Sequence, residues 1–160
     1  MPITSSGIVP PVKQIDHWLA YIRFNLADGS IFDLVSSALL PLAPSMSADQ
    51  AENLDLLIQE SWQKFYYFPG EKNAPFYFSE IYFAMGRHEQ SLFYLNETVR
   101  YFGSNAFLSY LKAICHERLG RTDEAIALCE EALLLNPELT DARNALNAMQ
   151  EKVKLIPPTA

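Results

Sequence analysis

The sequence predicts an all-α fold: an α-α superhelix in which antiparallel helix pairs stack as a solenoid, preceded by extra N-terminal helices. Three observations predict it. Apolar residues recur at helical spacing through most of the chain. A Gly-Arg pair occurs twice, as Gly86-Arg87 and Gly120-Arg121, separated by the length of one helical-hairpin repeat. Each apolar stretch is also bounded by residues that open or stop helices.

The elements follow in order. Residues 1–11 and 156–160 carry no helical pattern and are expected to be flexible tails. Ile15, Leu19, Ile22 and Leu26 form a first stripe, ended by Asp28-Gly29. Ser30 with Asp33 resembles a capping box, in which a hydroxyl and an acid satisfy the first helical N–H groups; it is expected to open a helix to about Leu40. Pro41 and Pro44 stand beyond that helix. Ser47 with Gln50 is a second start of the same kind, leading a longer helix through Leu54, Leu57, Ile58, Trp62 and Phe65 to Phe68. Pro69 lies two repeat lengths before Pro137, so residues 12–71 are read as a helical region that ends in the worn second helix of a degenerate repeat.

The offset from Gly86 to Gly120 also pairs Ser91 with Ala125, Leu92 with Ile126, Glu97 with Glu131 and Val99 with Leu133. The run from Gly120 to Ile126, followed by Ala132 and by Asn136-Pro137, resembles the second half of a tetratricopeptide repeat. That resemblance implies a glycine in the turn between two helices, small residues where the helices cross, and a proline that ends the unit. Residues 106–139 match it closely, with Ala113, Gly120, Ala125, Ala132 and Pro137 in place, although Ser109 and His116 stand where large aromatics are common. Residues 72–105 match it less closely: Ser79, Tyr82, Gly86 and Ser91 agree, but Thr98 and Gly103 depart. Residues 140–155 read as a capping helix, with Ala142, Ala145, Leu146, Met149 and Val153 on one face to cover the last repeat.

Physical patterning agrees with the resemblance. Phe107, Leu108, Leu111, Ile114, Cys115 and Leu119 form a helical stripe. Thr122 is expected to cap the next helix, with Asp123 and Glu124 in its first turn, where the helix dipole favours negative charge. Ala125, Leu128, Cys129, Ala132 and Leu133 make its buried face, and Asn136-Pro137 stops it, because a residue before proline is pushed out of the α region.

Composition excludes several classes. Hydrophobic residues make up 49% and charged residues 19% of the 160 positions, enough apolar material for a packed core. The formal charge of -7, with no run of Lys or Arg, repels phosphate backbones and anionic headgroups, so neither nucleic acid nor a membrane surface is expected as a partner. Cys115 and Cys129 fall inside apolar helical patterns and read as small buried hydrophobes. The first residues have neither a basic segment nor a continuous apolar one, and a cytoplasmic location is the expectation.

No enzyme is expected, nor any cofactor or metal. His116 follows Cys115 directly, so the two point about 100° apart on a helix and cannot share a small ion in regular geometry. No H-x-x-x-H, C-x-x-C, phosphate-loop or nucleophile-elbow spacing occurs. What stands out is aromatic: half of all the chain's aromatic side chains fall between Trp62 and Phe83. Most of these rings are expected in the core that joins the N-terminal helices to the first repeat. By analogy with the repeat family, Asn73, Phe76, Glu80 and Phe83, and then Phe107, Tyr110, Ile114, Glu117 and Arg118, are expected to line a concave groove. Such a groove suits an apolar helix or extended peptide, basic or neutral in charge. It lacks the inward Lys and Asn set of the family's carboxylate-clamp members; Asn73 is the single match. An adaptor or chaperone-like holder is the leading reading, and the layout is similar to class II chaperones of bacterial type III secretion. The alternatives are a docking or regulatory region of a larger enzyme and a self-associating subunit whose aromatic belt is its homodimer face.

Overall fold

A computed structural model describes residues 9–65 and 73–157. Tyr66, Tyr67, Phe68, Pro69 and Lys72 lie outside the described residues, as do positions 1–8 and 158–160 of the expected tails. The described residues hold eight α-helices and no strand. They are α1 (Pro11–Phe24), α2 (Phe32–Leu39), α3 (Ala48–Phe65), α4 (Ala74–Ala84), α5 (His88–Phe102), α6 (Ala106–Arg118), α7 (Thr122–Leu135) and α8 (Thr140–Lys154). The all-α expectation is borne out.

The chain divides into two compact units, Met1–Arg87 and His88–Ala160. In the first, Ile15, Leu19 and Ile22 of α1 point inward, as their spacing predicts, and α1 packs on α3. The α2 helix packs on α4, where Phe32 and Phe78 meet edge to face at 4.6 Å between ring centroids. Trp62 of α3 meets the same Phe78 at 6.4 Å. Phe32, Phe78 and Tyr82 are fully buried, so these rings belong to the core of their unit.

Two helix starts differ in an instructive way. The Ser47–Gln50 box forms as expected: the Gln50 N–H donates to Ser47 Oγ at 3.1 Å, and the Ser47 N–H donates to Gln50 Oε1 at 3.0 Å. Ser30 does not open a helix. Its N–H and its hydroxyl both donate to Asp28 Oδ1, at 3.1 and 2.5 Å, and the chain makes a 3-10 turn over Gly29–Ile31 before α2 begins. The carboxylate just upstream captures the donors that a helix start would have used. Thr122 likewise forms no side-chain cap, although α7 begins there.

A buried polar cluster ties the first unit together. Asp55 of α3 accepts from the Tyr82 hydroxyl at 2.5 Å, from Gln59 Nε2 at 2.9 Å and from Arg87 Nη1 at 3.0 Å. A carboxylate only 8% exposed is tolerable because three donors replace its water. In the second unit, α5 packs on α6, α6 on α7 and α7 on α8, each helix against the next in sequence. Ala113, Ala125, Cys129 and Met149 form its core, with Ile126, Leu128, Ala145 and Leu146 packed around them. Small side chains at Ala113 and Ala125 let α6 and α7 approach closely, which is the purpose of the alanines in the repeating pattern.

The period extends further than the Gly-Arg pair. Gly86 and Gly120 both stand at positive φ, 76° and 78°, and each ends its helix in the same way. The Arg87 N–H donates to the Tyr82 carbonyl and the Arg121 N–H to the His116 carbonyl, both at 2.9 Å. Only glycine adopts this left-handed conformation at no steric cost, and the two bonds satisfy carbonyls that a helix end leaves bare. The two arginines also match: Arg87 pairs with Asp55, and Arg121 with Glu89. Asp55 and Glu89 are themselves related by the offset that relates the two arginines. At two positions where the pattern substitutes a hydroxyl for a methyl, the hydroxyl bonds its own helix. Ser79 Oγ donates to the Phe76 carbonyl at 2.6 Å, and Thr98 Oγ1 to the Tyr94 carbonyl at 2.8 Å, so both residues stay buried without an orphaned polar atom.

Candidate functional site

The α6 helix is held firmly at both ends. Asn105 Oδ1 accepts the Leu108 N–H at 2.8 Å, a side-chain cap at the first turn, and the Gly120 motif closes the last one. Leu108, Ser109, Ala113 and Cys115 point into the unit and are buried. The positions expected on the groove face do not. Phe107 is 49% exposed, Tyr110, Ile114 and Glu117 are half-buried, and Arg118 is exposed. Their offsets of three, seven, ten and eleven from Phe107 place them along one side of the helix. An aromatic ring, a phenol and a branched aliphatic thus stand in a row, partly uncovered, on a helix that cannot easily rotate.

Two titratable groups at this face are shifted by their surroundings. The Tyr110 phenol is pushed above its ordinary range by burial first, then by the Asp141 carboxylate, Cys129 and Glu117. Asp141 lies in the first turn of α8. His88, at the start of α5, is held below its ordinary range by burial and then by the Arg118 guanidinium. The sequence reading misses Asp141, taking α8 as a cover alone. A signal for it exists, because Asp141 follows Phe107 at the same offset that relates Gly120 to Gly86. As a cover α8 does work: Ala142 and Met149 are buried and Ala145 and Leu146 half-buried, but Val153 is exposed.

The other four expected residues belong to the first unit. Asn73 is exposed just before α4; Phe76, Glu80 and Phe83 are half-buried. Phe76 packs edge-on to Tyr77 at 5.7 Å, and Glu80 Oε2 accepts from Ser36 Oγ at 3.0 Å. The Glu80 carboxylate is therefore engaged within its own unit. Among the described residues, no group of three or more His, Cys, Asp and Glu side chains converges as a metal site would require, and no helix is long and apolar enough to cross a membrane.

Comparison with known families meets this geometry in the second unit. A family model for the tetratricopeptide repeat matches residues 106–139, the span that contains α6 and α7. Residues 106–139 are thus similar to a tetratricopeptide repeat. The repeat explains the alanine contacts between α6 and α7 and the left-handed glycine between them. It also places α8 where the first helix of a next repeat would stand, since Thr140 comes one repeat length after Ala106. Tetratricopeptide repeats are protein-interaction modules, and the match points to that coarse function for this segment. Among curated proteins none matches the chain.

Proposed function

We propose that the chain is a cytoplasmic adaptor or chaperone-like holder, and that the α6 face of the repeat binds an apolar segment of another protein through Phe107, Tyr110 and Ile114. Glu117 and Arg118 orient the bound segment, and Asn73, at the start of α4, with Phe76, Glu80 and Phe83 on that helix, offers a second contact face. The net charge of -7 favours a basic or neutral partner. The observation that supports this most is the partial exposure of three large apolar side chains in one row on a capped, closely packed helix. Aromatic anchors on a rigid element bind at low entropic cost.

Site-specific photocrosslinking tests it. A benzoyl-phenylalanine at position 107 or 110 is expected to capture one defined partner, which the same label at the exposed Glu130 of α7 does not. Tyr110→Ala is expected to weaken that complex by about 1–3 kcal/mol, with the helical circular dichroism retained. Equal crosslinking from both sides of the repeat would refute the assignment. A crosslink to a second copy of the chain would replace it with self-association.

A further inference from the structure

The pairing of Arg87 with Asp55 and of Arg121 with Glu89 is part of a larger correspondence. The offset that relates the two arginines also relates Tyr82 to His116. In the first unit all three groups are joined. Asp55 of α3 accepts from the Tyr82 hydroxyl at 2.5 Å and from Arg87 Nη1 at 3.0 Å, and the Tyr82 carbonyl accepts the Arg87 N–H. In the second unit the same places hold Glu89 of α5, His116 of α6 and Arg121 of the α6–α7 turn. Arg121 bonds Glu89, and the His116 carbonyl accepts the Arg121 N–H at 2.9 Å, so the ion pair and the backbone bond are kept. The ring differs: His116 Nδ1 is shielded from solvent and has no hydrogen-bond partner among the described residues. A neutral imidazole can leave that nitrogen bare. An imidazolium carries an N–H on both nitrogens, and here one of them would have nowhere to donate. Burial above all, then Arg121 in the turn and Lys112 on α6, hold the ring below its ordinary range, against the opposing pull of Glu124 on α7 and Glu89 on α5.

We propose that His116 makes the joint between α5 and the α6–α7 turn acid-labile: a proton on its ring loosens the turn from α5, whereas the matching joint between α3 and the turn after α4 stays closed because Tyr82 stands in the same place. The closed joint takes up the proton less readily than the open one. Its stability is therefore full above the ordinary imidazole value of about 6.5 and is lost as pH falls below it. A phenol gains no charge over that range, so the first unit has no such switch at this position. The partly exposed Glu89–Arg121 pair contributes little by itself, and a charged His116 would compete with Arg121 for Glu89. The inference concerns the joint alone and does not depend on the α6 face being a binding surface.

Native-state hydrogen exchange of the full chain tests this, with each rate divided by the intrinsic rate of its amide at the same pH. The two turns supply matched reporters: Leu119, Gly120 and Arg121 against Met85, Gly86 and Arg87, whose N–H groups all donate to carbonyls of the preceding helix. Between about pH 7.5 and about pH 5, protection of the first set is expected to fall about three- to tenfold, while that of the second changes less than about twofold. His116→Tyr, which copies Tyr82, and His116→Gln are each expected to remove the fall; if the tyrosine variant does not fold, the glutamine variant decides. His88→Gln, which removes the other shifted histidine of the unit, should leave the fall in place. The His116 ring, followed by its own resonances, should titrate below about 6.5. A fall at Leu119, Gly120 and Arg121 no larger than that at Met85, Gly86 and Arg87 would overturn the inference. So would a fall that survives in His116→Gln, a ring that titrates above the ordinary value, or a loss of the fall in His88→Gln, which would make His88 the sensor.

Discussion

The two units are built on different principles. The first is held by volume and by one buried polar cluster: Phe32, Phe78 and Trp62 interlock, and Asp55 gathers donors from Tyr82, Gln59 and Arg87. The second is held by smallness, with Ala113, Ala125, Cys129 and Ala132 all buried where helices meet. A core of large rings can be assembled from many sequences, because volume can be redistributed among neighbours. Close helix approach allows no such redistribution, because a single added side chain forces the helices apart. This is why the second unit carries a recognisable repeat and the first does not.

Substitutions can break or sharpen that contrast. The largest effect is expected from Phe78→Ala, which leaves a cavity against Phe32 and Trp62 and should cost about 3–5 kcal/mol in urea denaturation. Asp55→Ala is expected next, at about 3 kcal/mol, since it strands the buried Tyr82 hydroxyl and the Arg87 guanidinium. Tyr82→Phe, which removes one bond and no packing, should cost only about 1 kcal/mol. If Asp55→Ala were no worse than Tyr82→Phe, the cluster would not be what ties α3 to α4.

In the second unit the sign of the size effect reverses. Enlarging Ala125 to leucine is expected to destabilise by about 1–3 kcal/mol, whereas the same change at the exposed Ala127 stays within about 0.5 kcal/mol. A neutral Ala125→Leu would show that close approach of α6 and α7 is not required. The smallest effect concerns pH. Burial, aided by Glu117 and Glu130, pushes the Cys129 thiol up to about 11. The folded state therefore holds its proton more tightly than the unfolded one, and this stability is full below the ordinary thiol value of about 8.5. It is lost as pH rises from there toward 11, and Cys129→Ala should flatten that part of the stability profile. Alkylation at about pH 8, near the ordinary thiol value, should spare both cysteines in the native chain and modify both in denaturant. Rapid native labelling would place Cys129 at the surface.

Much of this was legible in the sequence, and the parts that were not have identifiable causes. Helix period, the Ser47–Gln50 box, the two glycine turns and the buried alanines follow from local rules, and local rules hold where the chain has no competing option. The Ser30 start failed because Asp28 offered its donors a nearer acceptor. The shared Arg–carboxylate pairs went unseen because the repeat offset was carried forward from Gly86 and never back to Asp55. The site shows the same division. The α6 row was reached by analogy with the repeat family, whereas the effect of Asp141 on Tyr110 depends on how α8 meets α6, and a helix-by-helix reading does not supply that. Grouping α4 with the residues before it also rests on tertiary bonds, those of Tyr82 and Phe78, and so the division at Arg87 falls inside the 72–105 segment.

The most direct measurement is a titration of the isotope-labelled chain with a synthetic peptide of alternating leucine and lysine pairs, followed by backbone amide chemical shifts. The account predicts that the largest shifts gather on Phe107, Tyr110, Ile114, Glu117 and Arg118 and saturate together with one dissociation constant. Shifts centred on the exposed side of α7, around Ala127 and Glu130, would contradict it.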